Sequence, residues 1–148
     1  MFGKIVIGID GSEASQTALR VACGIAKKFD SELHLLHFAQ PQTVAFAMGA
    51  VAGYHAVTTM PSEAEIKEAS EKIVQAGVDI AKGEGITPAN TVAGRGDPGH
   101  EITAYADAQG ADLIVTGRRG LGNVGALVLG STSAEISHKA KCAVLSVA

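Results

Sequence analysis

Apolar residues along the chain alternate between short β-branched runs and longer stretches with helical spacing. Residues 4–9 (KIVIGI) form a short, predominantly apolar and β-branched run of the kind found in a strand buried on both faces. In residues 14–29 the apolar positions recur every three or four residues, which predicts a helix with Ser12 as its N-cap. Residues 32–38 (ELHLLHF) predict a second strand.

The second half of the chain continues this alternation. Pro61 and Ser62 open a long amphipathic helix that Gly83 and Gly85 end. The remaining predicted elements are a strand at residues 91–93, a helix over Pro98–Gln109, a strand at 111–116, a helix at 133–141 and a strand over Ala143–Val147. Strict alternation predicts an α/β fold, a parallel sheet with helices on both faces. We expect a single domain over residues 1–148.

Residues 43–60 interrupt the pattern because they contain no Asp, Glu, Lys or Arg. Their length approaches that of a membrane span, but two glycines, a histidine and four Thr or Tyr hydroxyls break the apolar run, and Pro61 closes it. We therefore expect a loop or short helix lying on the protein, and no transmembrane helix. A partner-binding surface is the alternative interpretation.

Composition narrows the function classes. The formal net charge is −3, no basic run exceeds two residues and tryptophan is absent, which argues against nucleic acid as a ligand. Cys23 and Cys142 lie far apart among apolar neighbours and read as two buried thiols. His34 and His37 are three apart on one strand, so they face opposite sides and cannot chelate one metal ion. The chain opens directly on strand residues, so we expect no signal peptide and a cytoplasmic location.

A glycine-rich stretch between the fourth strand and the last helix supplies the strongest candidate chemistry. Three of its glycines are followed by three hydroxyl residues at the predicted helix start: Gly117, Gly120, Gly130, Ser131, Thr132 and Ser133. Backbone N–H groups and the helix dipole at such a place favour a phosphate. Three hydroxyls also exceed what one N-cap requires. Glycines that merely permit tight turns are the alternative.

Asp10 ends the first strand, and ligands of doubly wound sheets bind at the carboxyl ends of strands. A carboxylate there suits a ribose hydroxyl or a Mg²⁺ ion, although an Asp at a strand end also commonly serves a turn. The sequence has neither the Gly-x-Gly-x-x-Gly dinucleotide motif after the first strand nor a Gly-x4-Gly-Lys-Ser/Thr motif. Without a Walker lysine, efficient ATP hydrolysis is not expected.

The sequence resembles the universal stress protein family over essentially its whole length. Four stretches carry the resemblance: IVIGIDGSEAS at 5–15, GDP at 96–98, ADLIVTGRRG at 111–120 and LGSTS at 129–133. The spacing Gly-x2-Gly-x9-Gly-Ser is that of the members that bind ATP. The resemblance implies a doubly wound, Rossmann-like sheet of five parallel strands in the order 3-2-1-4-5.

The resemblance also implies a site for ATP, with Mg²⁺ held by the phosphates and Asp10. Asp10 would contact the ribose, while the Ile9 backbone and Phe38 would lie beside the adenine. Arg118 would reach a phosphate or a partner subunit, unless it is simply solvated. The phosphates would be cradled by Gly117, Gly120, Gly130, Ser131, Thr132 and Ser133.

Members of the family are usually dimers, so the resemblance implies a homodimer through Ala143–Val147, or a tetramer. The predicted function is a regulator whose nucleotide state changes its oligomerisation or its contacts with another protein, such as a transporter or another membrane-associated protein. Two alternatives stay open: a slow ATPase or nucleotidyl transferase using the same pocket, and an interaction module without a ligand.

Overall fold

The computed structural model describes residues 1–40, 61–119 and 129–148. The predictions for residues 43–60 and for Gly120 lie outside these ranges. In chain order the elements are β1 (Lys4–Gly8), α1 (Glu13–Phe29), β2 (Glu32–Ala39), α2 (Glu63–Gly83), β3 (Asn90–Arg95), α3 (Pro98–Gln109), β4 (Leu113–Gly117), α4 (Ser131–Lys139) and β5 (Ala143–Val147).

The five strands form one parallel sheet in the order β3-β2-β1-β4-β5, which confirms the predicted fold class. β1 is central: Ile7 lies opposite Leu35 of β2 and Val115 of β4. The chain passes from β1 to β2 on one side and later returns to β4 on the other. The carboxyl ends of β1 and β4 therefore flank the point where the strand order reverses.

Two apolar layers cover the sheet. On one face, side chains of β1 such as Ile5 and Ile7 pack with α1 and α2. On the other, Val6, Leu36 and Ile114 pack with α3 and α4. Because successive side chains of a strand point to opposite faces, strands covered on both sides need the continuous apolar runs seen in the sequence.

The helix starts show one difference from the prediction. Ser12, Ser62 and Asp97 cap α1, α2 and α3, each by accepting a hydrogen bond from a first-turn N–H group. Helix α4 begins at Ser131, two residues before the predicted start, and its N-cap is Gly130. Hydroxyl residues that suit an N-cap thus lie inside the first turn, where their side chains do not cap the helix.

Other differences are small and follow from pairing. β3 is longer than predicted because Phe38 and Ala39 of β2 hold Gly94 and Arg95 in register, although neither of the latter favours a strand. β1 ends one residue earlier than predicted.

Cys23 is buried as expected, but Cys142 is half-buried beside the edge strand β5, so the prediction of two buried thiols was wrong for Cys142.

Candidate functional site

Helices α1 and α4 both begin against Gly117, the last residue of β4. A Cβ atom on Gly117 would lie 2.9 Å from the carbonyl carbon of Ala14 and 3.0 Å from the amide nitrogen of Ser15. On its other side, the Ser133 hydroxyl donates to the Gly117 carbonyl at 2.6 Å. Glycine is therefore required here for close packing, and this packing brings two helix N-termini to the end of one strand.

The backbone of Arg118 forms hydrogen bonds with both β5 and the N-cap residue of α4. Its N–H donates to the carbonyl of Val147 at 2.6 Å, and its own carbonyl accepts from Gly130 N–H at 2.9 Å. The start of the glycine-rich stretch is thereby tied to the end of β5 and to the N-cap of α4. The Arg118 side chain is exposed at this rim.

Within the described part of the chain, the N-cap of α4 makes no side-chain hydrogen bond to the first turn of this helix. The N–H groups of a first helical turn have no partner within the helix, and they carry the positive end of its dipole. Ser131 is exposed and Thr132 half-buried, whereas Ser133 is 2% exposed and its hydroxyl is already bonded inside the protein. Chemically, this end of α4 is suited to an anion, with hydroxyl donors supplied by Ser131 and Thr132.

Asp10 begins the turn between β1 and α1. Its Oδ1 atom accepts the N–H of Ser12 at 2.9 Å, which fixes the half-buried carboxylate at the carboxyl end of β1. The amide nitrogen of Ser15 lies against Gly117. The hydroxyl oxygen of the same Ser15 accepts the Asp10 N–H at 3.4 Å. Contacts thus lead from Asp10 through Ser15 to Gly117 and on to Ser133 of α4. The turn after β1 and the first turn of α4 are therefore connected through Gly117.

The expected adenine neighbours lie on β1 and β2. The Ile9 side chain is buried on the α1–α2 face, so only its backbone can face a ligand. Its N–H donates to the carbonyl of Leu36 at 2.8 Å. Phe38 is half-buried on the opposite face, with its ring against Gly94, where a Cβ would lie 2.6 Å from ring atom Cε1. Adenine contacts of Ile9 and Phe38 stay predictions.

His37 is a site neighbour that sequence reasoning missed. It is 5% exposed, and its Nδ1 atom lies 2.8 Å from the carbonyl oxygen of Ile9. The other histidine of β2, His34, makes its hydrogen bond with Tyr105, so the two rings face opposite sides of the sheet. Strand alternation was the available signal, because it places His37 on the same face as Ile9.

Burial lowers the pKa of His37 below its ordinary value of 6.5, although the Ile9 carbonyl and the Asp10 charge act in the opposite direction. As pH falls through 6.5, His37 becomes protonated in the unfolded chain while it stays neutral in the folded chain. The free energy of unfolding therefore decreases below that pH. We expect wild type to lose more stability than His37→Asn between pH 7.5 and 5.5, by at most about 1.4 kcal/mol per pH unit. Urea unfolding at several pH values measures this difference, and parallel pH profiles would contradict the expectation.

Comparison with known proteins assigns the family. The family model for the universal stress protein family matches residues 1–148. The chain belongs to the universal stress protein family. It is 33% identical over 150 residues to universal stress protein YxiE of Bacillus subtilis, covering 99% of each chain.

Solved universal stress proteins share the fold. One, determined in complex with cAMP, is 26% identical with a TM-score of 0.69 and covers 99% of this chain and 96% of that one. A second, from Archaeoglobus fulgidus in complex with dAMP, is 21% identical with a TM-score of 0.71 and covers 99% and 98%. The Rossmann-like arrangement of this chain is therefore that of the family.

Within residues 1–40, 61–119 and 129–148, no three His, Cys, Asp or Glu side chains come together as a metal site would require. In the same ranges, no helix has the length and apolar character that crossing a membrane requires.

Proposed function

We propose that this chain binds an adenine nucleotide, ATP with Mg²⁺, at the carboxyl ends of β1 and β4. The observation that carries the proposal is the first turn of α4, for which the described residues supply no side-chain cap and which lies at the strand-order reversal. Contacts through Gly117 and Ser15 connect it to Asp10. Phosphate oxygens would accept from its N–H groups and from the hydroxyls of Ser131 and Thr132. The glycine spacing of the ATP-binding members supports the same assignment.

The nucleoside half of the ligand would lie toward β1 and β2. In this proposal Asp10 accepts from a ribose hydroxyl or helps to hold Mg²⁺, and the adenine lies beside the Ile9 backbone and Phe38. Support comes from the place of Asp10 at the end of the central strand. The cAMP complex of a 26% identical relative supports the choice of an adenine ligand.

The proposed role is regulatory: nucleotide binding would alter oligomerisation or contacts with another protein in the cytoplasm. β5 is an edge strand, and its half-exposed residues include Val144, Leu145 and Val147. An apolar edge strand is a natural pairing surface for a second copy. We therefore propose a homodimer through Ala143–Val147, with a tetramer as a further assembly.

Native mass spectrometry of the protein, purified without added nucleotide and then mixed with ATP and Mg²⁺, tests ligand and assembly together. The expected result is one adenine nucleotide per chain in a dimer or tetramer. A chain that stays nucleotide-free at saturating ATP would contradict the proposed ligand. A nucleotide-bound monomer would contradict the proposed assembly alone.

Replacing Asp10 with Ala separates binding from hydrolysis. Loss of a charge-assisted hydrogen bond is expected to weaken ATP binding by about tenfold or more. Calorimetric titration measures that loss, and unchanged affinity would contradict the role of Asp10. We expect no sustained ADP formation by wild type; steady turnover that disappears in Asp10→Ala would instead support a slow ATPase.

A further inference from the structure

The imidazole of His37 is held in one tautomer by its surroundings. Its Nδ1 atom lies 2.8 Å from the Ile9 carbonyl oxygen, which can only accept a hydrogen bond, so Nδ1 carries the proton and donates. Among the residues that the structure describes, the other ring nitrogen, Nε2, is buried and has no hydrogen-bond partner. A neutral ring with its only proton directed at Ile9 follows from this pair of observations.

This contact fixes the last peptide before Asp10. The Ile9 N–H donates to the Leu36 carbonyl of β2, and the Ile9 carbonyl accepts from His37, the next residue of the same strand. Residue Ile9 is therefore held to β2 on both sides, beyond the point where β1 ends at Gly8. The Ile9–Asp10 peptide itself is held at its carbonyl by His37 and at its N–H by the Ser15 hydroxyl, 3.4 Å away. Its orientation sets where the Asp10 backbone leaves the sheet.

Core packing alone does not explain a histidine at this position. Leu33 and Leu35, which precede it on the same face of β2, are fully apolar neighbours in the α1–α2 layer. A buried nitrogen without a partner is unfavourable, and an apolar side chain would avoid that penalty. What His37 supplies and leucine cannot is the N–H group for the Ile9 carbonyl.

We propose that His37 is a positioning residue of the nucleotide site, which acts by donating Nδ1–H to the Ile9 carbonyl and thereby orients the turn that carries Asp10. The inference rests on the proposed nucleotide function. Because His37 acts through the backbone, its effect on the ligand depends on the donor atom and not on the imidazole as such.

Two substitutions of His37 test this dependence. His37→Leu removes the donor, and we expect nucleotide affinity to fall by about tenfold, the size of one lost hydrogen bond in a buried setting. His37→Asn places an amide N–H where the imidazole Nδ1–H was, so it is expected to restore most of that affinity. A merely structural histidine predicts no such rescue.

His34→Leu is the matched control. His34 lies on the same strand with the same 5% exposure, but its Nδ1 atom contacts the Tyr105 hydroxyl at 2.9 Å on the opposite face. This variant is expected to lose stability and to keep wild-type nucleotide affinity within about threefold. Thermal unfolding of every variant establishes that the affinities compare folded proteins.

Nitrogen-15 NMR of the ligand-free protein at pH 7.5 measures the tautomer directly, and we expect protonated Nδ1 and unprotonated Nε2 at His37. The opposite tautomer, full affinity in His37→Leu, or equal losses in the Leu and Asn variants would each overturn the positioning role. A wild type that binds no nucleotide would overturn the proposed function as well. Normal wild-type binding with an unaffected Leu variant would overturn the inference alone.

Discussion

Replacing Gly130 with Asp is expected to weaken ATP binding by about 100-fold or more while leaving the folded protein at least as stable as wild type. Gly130 is the N-cap of α4, and an Asp there would accept hydrogen bonds from the first-turn N–H groups. It would also place a negative charge at the proposed phosphate position. The Asp side chain would thus cap α4 and also occupy the N–H groups that are proposed to bind phosphate.

Two other residues at the same position separate charge from bulk. Gly130 has φ −56° and ψ 152°, a conformation open to any residue, so backbone strain does not enter. Gly130→Ala adds a methyl group without an acceptor, and Gly130→Ser adds an uncharged cap. We expect the loss of ATP affinity to be smallest in the Ala variant, larger in the Ser variant and largest in the Asp variant. Calorimetric titration with ATP and Mg²⁺ measures these affinities. Equal affinity in the Ala and Asp variants would show that phosphate does not bind at this helix end.

Replacing Gly117 with Ala is expected to destabilise the protein by about 1–3 kcal/mol, the usual range for overpacking. The added Cβ would lie within 3.1 Å of three backbone atoms of Ala14 and Ser15, which cannot rotate away. The first turn of α1 must therefore move off the end of β4. Secondary-structure propensity predicts the opposite sign, because Gly in a strand is less favourable than Ala.

Gly24→Ala in α1 is the matched control. Gly24 lies in the middle of the same helix, and a Cβ there would meet no atom within 4 Å from the described residues beyond its own stretch of helix. This variant is expected to be more stable than wild type by about 0.5–1 kcal/mol, because Gly is a poor residue in a helix interior. Urea unfolding compares the two variants, and a neutral or stabilising Gly117→Ala would contradict the packing argument.

Most of the fold was predictable because the central strands β1 and β4 are predominantly apolar and the helices carry apolar residues at helical spacing. Turn chemistry located the starts at Ser12, Ser62 and Pro98. β3 was harder, since Gly94 and Arg95 become strand residues only through pairing with β2. Such long-range pairing has no local signal in the sequence.

The candidate site was predictable in outline and not in its internal contacts. Motif spacing pointed to Gly117, Gly130 and the hydroxyl residues, but the sequence could not show that Gly117 is required by the backbone of α1. Nor could it show that Ser133 turns inward while Ser131 stays exposed. These distinctions depend on how α1 and α4 pack against β4, which only the folded chain determines.

Backbone amide NMR during titration of the wild-type protein with ATP and Mg²⁺ tests the central claim most directly, because it reports binding and location together. We predict saturable shifts at the amides of Ser131, Thr132 and Ser133 and in the Asp10 turn. Tyr105 and Asn90, which bond each other through Asn90 Nδ2 and the Tyr105 hydroxyl on the α3 side of the sheet, should be unaffected. Absence of saturable shifts at millimolar ATP, or shifts that leave the first turn of α4 untouched, would contradict the claim.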